Sequence, residues 1–125
     1  MDDWEAEDEA ARLTREGMDL ARAGSLREAI ASYDEALHLA DCLPALMNRA
    51  CAYFHLGELE RAIRDATWAL EVDEARAPMW LVRGMARERV GDAGGASEDL
   101  ARYLELGASP RFRGVAERAL ARLAA

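Results

Sequence analysis

Residues 46–70 read LMNRACAYFHLGELERAIRDATWAL, and three alanines and one glycine in this stretch set the frame of the whole chain. Ala50, Ala62 and Ala69 are the small residues, and Gly57 follows the first of them by seven positions. The same spacing recurs on either side, in the sets Gly17, Gly24, Ala29, Ala36 and Gly84, Gly91, Ala96, Tyr103. Successive sets are 33 and 34 residues apart, a period typical of stacked helical repeats.

Each repeat is predicted to be a pair of helices. Small residues let two helices approach closely, and the glycine opens the tight turn between them. Apolar residues follow three-and-four spacing and β-branched residues are scarce, so no strand pattern competes. We predict an all-α chain with seven helices, at roughly 3–23, 26–40, 44–56, 59–73, 78–90, 94–106 and 110–124.

Residue types favoured at helix starts support these boundaries. They are the predicted capping box of Ser25 and Glu28, the cap Asp92, the cap and first-turn proline Ser109 and Pro110, and the first-turn prolines Pro44 and Pro78.

The composition predicts a folded protein of the cytoplasm. Hydrophobic residues make up 51% of the 125 residues and charged residues 32%, which suffices for a buried core without disulfides. Two cysteines, no apolar run of about 18 residues and no basic, apolar leader predict a reduced environment and no membrane contact.

The formal net charge of −8 makes nucleic acid an unexpected partner, because nucleic-acid binding depends on clustered basic residues. The charge is also uneven. Six acidic residues crowd positions 2–9, whereas Arg111, Arg113, Arg118 and Arg122 lie near the other end. Solvated helix ends explain this pattern, and weak head-to-tail self-association is the alternative.

The repeated residues resemble the tetratricopeptide repeat, whose signature alternates small, aromatic or leucine positions around a glycine turn. The matching residues are Leu13, Gly17, Leu20, Gly24, Leu26, Ala29, Tyr33, Ala36 and Leu37; then Leu46, Ala50, Tyr53, Gly57, Leu59, Ala62, Ala69 and Leu70; then Trp80, Gly84, Gly91, Ala96, Leu100 and Leu104. The resemblance implies one domain of residues 1–125. It is an α-solenoid of three repeats, at about 10–42, 43–76 and 77–109, with a C-terminal capping helix at 110–124.

Three positions depart from the family pattern, and two glycines weaken a helix. Arg87 stands in a column that is usually aromatic, Ala66 in one that is usually bulky, and Tyr103 in one that is usually small. We expect repeat three to pack atypically, with Tyr103 filling the space that Ala66 leaves. Gly94 and the next residue, also glycine, predict fraying at the start of the sixth helix.

The resemblance also implies a curved trough whose concave wall is the first helix of each repeat. Counting from the small-residue column gives the predicted peptide-binding groove: Thr14, Arg15, Met18, Arg22, Met47, Asn48, Cys51, Phe54, His55, Leu81, Val82, Met85 and Arg89, with Glu88 beside them. This surface is apolar and rich in methionine, which suits an extended or helical peptide with apolar anchors. A core role for the apolar members is the alternative.

Family members that hold the acidic C-terminus of cytosolic heat-shock chaperones use a clamp of two Lys, two Asn and one Arg. Only Asn48 matches that clamp, because Thr14, Met18, Pro78 and Val82 occupy the other four places. The sequence therefore argues against binding of chaperone tails. Asn48 is predicted to bond a ligand's backbone, with a local bond to its own helix as the alternative.

The arginines of the predicted groove and the possible metal ligands give weaker sequence signals than the repeat does. Arg15, Arg22 and Arg89 are predicted either to pair with carboxylates of a partner or to stay solvated. His38, Cys42, Cys51 and His55 form a mirror pattern that invites a zinc site. The repeat register separates these four side chains, so we predict no metal.

No enzyme motif is found. The chain has no Gly-rich phosphate loop, nucleophile elbow or HExxH sequence, so no catalytic residue and no cofactor are predicted.

Trp4 is predicted to pack onto repeat one, with a partner contact as the alternative. Trp68 is predicted to lie on an outward face, where it forms either a second binding surface or a partly covered contact with a neighbouring part of the chain.

We predict a non-catalytic adaptor or scaffold whose groove binds a peptide segment of another protein. Two alternatives stay open. One is a chaperone that holds the apolar segment of a bacterial secretion client, and the other is a structural scaffold that assembles through its charged ends.

Overall fold

The computed structural model describes residues 1–125 and contains seven α-helices and no strand. The helices are α1 (Asp3–Arg22), α2 (Leu26–Leu39), α3 (Leu43–Leu56), α4 (Leu59–Val72), α5 (Ala77–Val90), α6 (Ala93–Glu105) and α7 (Pro110–Ala124). Every predicted boundary lies within one residue of the observed one. No helix combines the length and the apolar character needed to cross a membrane.

The helices stack in chain order, each against the next. In addition α1 lies close to α3, α3 to α5 and α5 to α7, whereas the backbones of α2, α4 and α6 do not come close to one another. The odd-numbered helices are therefore the closely spaced layer, and the even-numbered helices are splayed apart on the outside. This arrangement is the predicted α-solenoid, with its concave wall built from α1, α3, α5 and α7.

Glycines form the turns inside the repeats, as predicted. Gly24, Gly57 and Gly91 have φ angles of 86°, 80° and 91°, in the left-handed region that residues with a Cβ rarely adopt. Gly107, between α6 and α7, has the same conformation with a φ of 86°. The turn geometry thus continues past the third repeat.

Residues of matched size set the spacing inside each repeat. A Cβ on Gly17 would lie 2.8 Å from Cδ1 of Tyr33, and one on Gly84 would lie 3.0 Å from Cγ of Leu100. In repeat two the same register places Ala50 opposite Ala66, and both are fully buried. In repeats one and three a glycine faces a large side chain, whereas in repeat two an alanine faces an alanine.

The prediction that Tyr103 fills space beside Ala66 is wrong. Ala66 lies in the middle core cluster with Met79, whereas Tyr103 lies in a C-terminal cluster with Ala116 and Ala119 of α7. The two small residues of α7 leave the room that the tyrosine ring occupies.

The helix starts confirm some predicted caps and contradict others. Pro44, Pro78 and Pro110 lie in first turns, and the Asp92 side chain accepts a hydrogen bond from the Gly95 N–H at 3.0 Å. Ser25 makes no side-chain bond to α2, so the capping box with Glu28 is wrong. The N–H of Ser25 donates to the Leu20 carbonyl at 2.9 Å and closes α1. Asp92 closes α5 in the same way and with similar backbone angles, so the difference between the two caps lies in the side chain. The predicted side-chain cap at Ser109 is also absent, although its carbonyl accepts from the second and third residues after Pro110.

Candidate peptide-binding groove

Two cavities open side by side on the concave wall and share Cys51 and His55. The first, which we call the N-terminal pocket, has a volume of about 490 Å³. Its other lining residues are Met18, Ala21, Arg22, Leu26, Tyr33, Asn48, Ala52 and Arg111. The two pockets together are called the groove.

The second cavity, the C-terminal pocket, has a volume of about 510 Å³. Besides the shared residues it is lined by Phe54, Ala77, Pro78, Leu81, Val82, Met85, Arg89, Tyr103, Gly107, Ser109, Phe112 and Val115. Its walls therefore come from α3, α5, α6 and α7, and most of them are apolar.

Ten of the thirteen predicted groove residues line these pockets. They are Met18, Arg22, Asn48, Cys51, Phe54, His55, Leu81, Val82, Met85 and Arg89. The repeat register therefore locates the concave face correctly. Whether these residues bind a peptide stays a prediction.

Three predicted residues lie elsewhere. Thr14 is buried: its hydroxyl donates to the Ala10 carbonyl at 2.8 Å and lies 3.3 Å from the Cys42 sulfur. Its prediction as an exposed groove residue is wrong, because a short hydroxyl side chain folds back onto its own helix. Met47 packs against the middle core cluster, and Arg15 is exposed but lines neither pocket.

Helix α7 also lines the groove, which the repeat register did not predict. Arg111 reaches the N-terminal pocket, and Phe112 and Val115 line the C-terminal pocket. The i, i+3 spacing of Phe112 and Val115 marks one helical face and was the available signal. Because α7 lies outside the repeat register, that signal could not be assigned to the groove.

The groove is basic although the protein is acidic. Arg22, Arg89, Arg111 and His55 line the pockets, and no Asp or Glu does. Arg22 pairs with Asp19 at 2.8 Å, whereas Arg89 and Arg111 have no ion-pair partner. Their guanidinium carbons lie 4.6 Å and 5.0 Å from the ring centroids of Phe54 and Phe112. Two arginines are thus held over aromatic rings with their charge unpaired.

Glu88 does not offset this charge. Its carboxylate accepts two hydrogen bonds from Arg122 of α7, at 3.1 Å and 2.9 Å. This pair ties α7 to α5 outside both pockets.

Asn48 and Cys51 lie on the groove floor with different chemistry. The Asn48 Nδ2 donates to the Pro44 carbonyl at 2.8 Å, so the local bond to its own helix is present and the side-chain oxygen is left free of protein partners. Burial raises the pKa of the Cys51 thiol, so it stays protonated at neutral pH. Cys51 therefore acts as a small apolar surface.

The four zinc candidates do not converge. Cys42 contacts Thr14, Cys51 and His55 line the groove, and His38 lies on a different cavity beside Trp68. No group of three or more His, Cys, Asp or Glu side chains is placed to hold a metal ion.

Buried ion pairs hold the groove helices against the outer layer. Arg49 donates two hydrogen bonds to Asp65, at 2.7 Å and 3.0 Å, and Arg83 donates two to Asp99, both at 2.9 Å. Asp65 and Asp99 are 0% and 1% exposed. The bond to Asp65 raises the pKa of Arg49 further above its usual range, so this arginine remains charged.

Arg87 replaces the usual aromatic residue by joining this network. Its Nη1 donates to Asp99 at 3.0 Å, and its Nε lies 3.7 Å from an Asp92 oxygen. The atypical packing of repeat three is therefore an ionic cluster between α5 and α6.

Neither exposed tryptophan lies in the groove. Trp4 is 64% exposed, so its predicted packing onto repeat one is wrong. Trp68 is 52% exposed on the outer helix α4, beside Leu37 and Val72.

No protein-family model matches the chain. A curated protein, the heat-shock protein cognate co-chaperone sgt12 of Aspergillus fumigatus, is 35% identical over 98 residues, which is 78% of this chain. The chain spans 29% of the length of that relative.

Solved structures share the same architecture. The crystal structure of the Sgt2 TPR domain from Aspergillus fumigatus is 31% identical, with a TM-score of 0.80 over 92% of this chain and 76% of that one. The first TPR of Spaghetti (RPAP3), bound to the HSP90 peptide SRMEEVD, is 26% identical, with a TM-score of 0.85 over 95% of this chain and 96% of that one. Repeat spacing, helix order and these relatives agree, and the chain belongs to the tetratricopeptide repeat family.

Proposed function

We propose that this chain is a non-catalytic interaction adaptor whose groove binds an extended or helical segment of a partner protein. The observation that carries the proposal is the pair of adjoining pockets, with an apolar floor, three arginines and no carboxylate. Apolar side chains of the partner would enter the pockets and supply most of the affinity. Arginines and Asn48 would set its orientation.

The relatives support a peptide ligand. The first TPR of Spaghetti is bound to an HSP90 peptide, and sgt12 is a co-chaperone. In this chain, however, the positions of the chaperone-tail clamp hold a buried Thr14 and the pocket residues Met18, Pro78 and Val82. We therefore propose a ligand that is anchored by apolar side chains, in place of one held through its terminal carboxylates.

Catalysis is not part of this proposal. The groove offers no carboxylate as a general base, and the thiol of Cys51 has a raised pKa, which makes it a poor nucleophile at neutral pH. We place the adaptor in the cytoplasm, where its two free cysteines would stay reduced.

A chaperone for a secretion client would use the same groove. Met18 and Met85 favour this second function, because methionine adapts to varied apolar segments. A client that aggregates when the chain is absent and stays dispersed when it is present would distinguish a chaperone from an adaptor.

Affinity capture from lysate of the source organism tests the proposal. The native chain is compared with the double variant Asn48→Ala, Met85→Glu, and the captured proteins are identified by mass spectrometry. The single variant Trp68→Ala is the matched control, because Trp68 is exposed on the outer face.

We expect one or more partners to be lost with the double variant and retained with the control. Circular dichroism checks that the double variant keeps its helix content. Equal capture by the folded double variant and the native chain would place the binding surface outside the groove.

A further inference from the structure

The first helix is longer than its counterparts. The first helices of repeats two and three start at Leu43 and Ala77, and the repeat spacing places the equivalent start in repeat one at residue 10. Helix α1 starts seven residues earlier, at Asp3. None of residues 1–9 is buried, so about two helical turns project beyond the stack. We call residues 1–9 the overhang.

The overhang combines an exposed aromatic side chain with unpaired negative charge. Trp4 is its one aromatic residue, and six of its nine residues are acidic. Of these only Glu9 is in an ion pair, with Arg12. Glu7 and Asp8 follow Trp4 by three and four positions and lie on the same helical face. An indole flanked by carboxylates is thus presented to solvent.

The opposite end of the chain carries the complementary surface. Eleven of the sixteen arginines form ion pairs, and the five that do not are Arg15, Arg89, Arg111, Arg113 and Arg118. Three of the five lie on α7, and Arg89 lines the C-terminal pocket together with Phe112 and Val115 of that helix. Of these five, Arg89 lines the apolar C-terminal pocket and Arg111 lines the adjoining N-terminal pocket, beside Phe112.

We propose that the overhang of one copy docks into the C-terminal pocket of a second copy. Trp4 would enter between Leu81, Met85 and Phe112. The carboxylates of Glu7 and Asp8 would face Arg89 in this pocket and Arg111, which lies over the Phe112 ring at the border with the N-terminal pocket. A cavity of about 510 Å³ has ample room for an indole, since pockets that hold whole small-molecule ligands span about 300–1,000 Å³.

The overhang cannot fill the pocket of its own copy. Trp4 and Met18 belong to the same continuous helix, and Met18 already lies in the groove. At about 1.5 Å per residue, Trp4 is held about 20 Å from Met18 along this helix. The backbone of α1 also does not come close to that of α5, α6 or α7, the helices that with α3 form the C-terminal pocket.

Docking between copies is therefore head to tail. Each copy offers one overhang and one pocket, so contacts propagate into chains unless the rotation closes a ring. This inference goes beyond the proposed function, because the occupant is a second copy. It also means that self-docking and a partner peptide compete for the C-terminal pocket.

Sedimentation velocity of the full chain tests the inference. We expect the average mass to rise with concentration at about 0.05 M salt and to fall towards the monomer at about 0.5 M, where exposed charges are screened. The head variant is Trp4→Ala. The tail variant combines Arg89→Glu with Arg111→Glu, two exposed positions whose change does not enter the core.

Each variant alone is expected to be monomeric, with a dissociation constant raised by about tenfold or more. An equimolar mixture of the two is expected to form a one-to-one dimer and nothing larger. In that dimer the intact overhang of the tail variant meets the intact pocket of the head variant. The control Trp68→Ala is expected to associate like the native chain.

Three results would overturn the inference: a native chain that is monomeric at every concentration in low salt, a head or tail variant that still associates alone, or a mixture that stays monomeric. An equal loss with Trp68→Ala would move the contact to the outer face and also contradict it. Peptide capture by the groove is measured separately with Met85→Glu, so a failure of self-docking leaves the proposed function standing.

Discussion

Single atoms set the distance between the helices of each repeat. A methyl group on Gly17 would meet the Tyr33 ring, which is 1% exposed and enclosed by the first core cluster. A methyl group on Gly84 would meet Leu100 at 3.0 Å and Asp99 at 3.1 Å, which is tight but less severe. The cost of the same substitution should therefore differ between repeats.

We predict that Gly17→Ala destabilises the fold by about 1–3 kcal/mol, as overpacking of a dense core usually does. Gly84→Ala should cost less, because the contacts of its added methyl group are longer, while the gain in helix propensity of about 1 kcal/mol is the same at both sites. Urea unfolding of both variants measures the difference in free energy of unfolding. A Gly17→Ala variant as stable as the native chain would contradict this account of helix spacing.

The raised pKa of Cys51 predicts slow alkylation. Only the thiolate reacts, and burial lowers the thiolate fraction at any given pH. The rate of iodoacetamide labelling at Cys51 should therefore keep rising above pH of about 8.5, the usual thiol midpoint. Mass spectrometry of the intact chain and of a Cys51→Ala control separates this rate from that of Cys42. Labelling of Cys51 at the rate of a free cysteine at neutral pH would contradict the burial of this side chain.

Buried carboxylates link α3 to α4 and α5 to α6. Asp99 accepts two hydrogen bonds from Arg83 and one from Arg87, so removal of its carboxylate leaves two partly buried guanidinium groups without a partner. We predict that Asp99→Ala lowers the free energy of unfolding by about 3 kcal/mol. Asp34→Ala, which removes an exposed partner of Arg49, should cost less than about 1 kcal/mol. Thermal and urea unfolding of the two variants test this ranking, and equal costs would contradict it.

The start of α6 depends on one cap. Asp92 accepts from the Gly95 N–H, and a Cβ on Gly95 would lie 2.9 Å from the Asp92 carboxyl carbon. Gly95 is thus required for the cap, while Gly94 has open space and only weakens the helix.

We predict faster amide hydrogen exchange in residues 92–97 than in residues 59–65. Asp92→Ala should accelerate exchange in 92–97 further and cost about 1 kcal/mol, the usual value of a cap. Hydrogen exchange with mass spectrometry compares the two segments in one experiment. Exchange in 92–97 that is no faster than in 59–65 would refute the predicted fraying.

Helix positions could be predicted because the repeat fixes them three times over, whereas caps could be predicted only in part and ion pairs could not. Ser25 and Asp92 occupy equivalent turns with similar backbone angles, yet only Asp92 makes the side-chain bond to its helix. The pairs Arg49 with Asp65 and Arg83 with Asp99 share one spacing and recur after 34 residues. Charged residues nevertheless suggest a solvated surface until their burial is known.

At the scale of the whole molecule, an acidic exterior surrounds a basic groove. This contrast could be predicted only in part, because Arg111 of α7 enters the groove from outside the repeat register. The apolar floor followed directly from the register, since Leu81, Val82 and Met85 occupy one face of α5. Such a charge pattern steers acidic segments to the groove and repels them elsewhere.

The central claim is that the groove is the binding site. Titration calorimetry of the segment identified by capture, against the native chain and its variants, gives the dissociation constants directly. We predict that Met85→Glu and Arg89→Glu, one on the apolar floor and one at an exposed arginine, each weaken binding by about tenfold or more. Trp68→Ala should stay within about twofold of the native value, because exposed positions away from a contact contribute little. Native affinity in both folded groove variants, with weaker binding by Trp68→Ala, would contradict the claim and assign binding to the outer face.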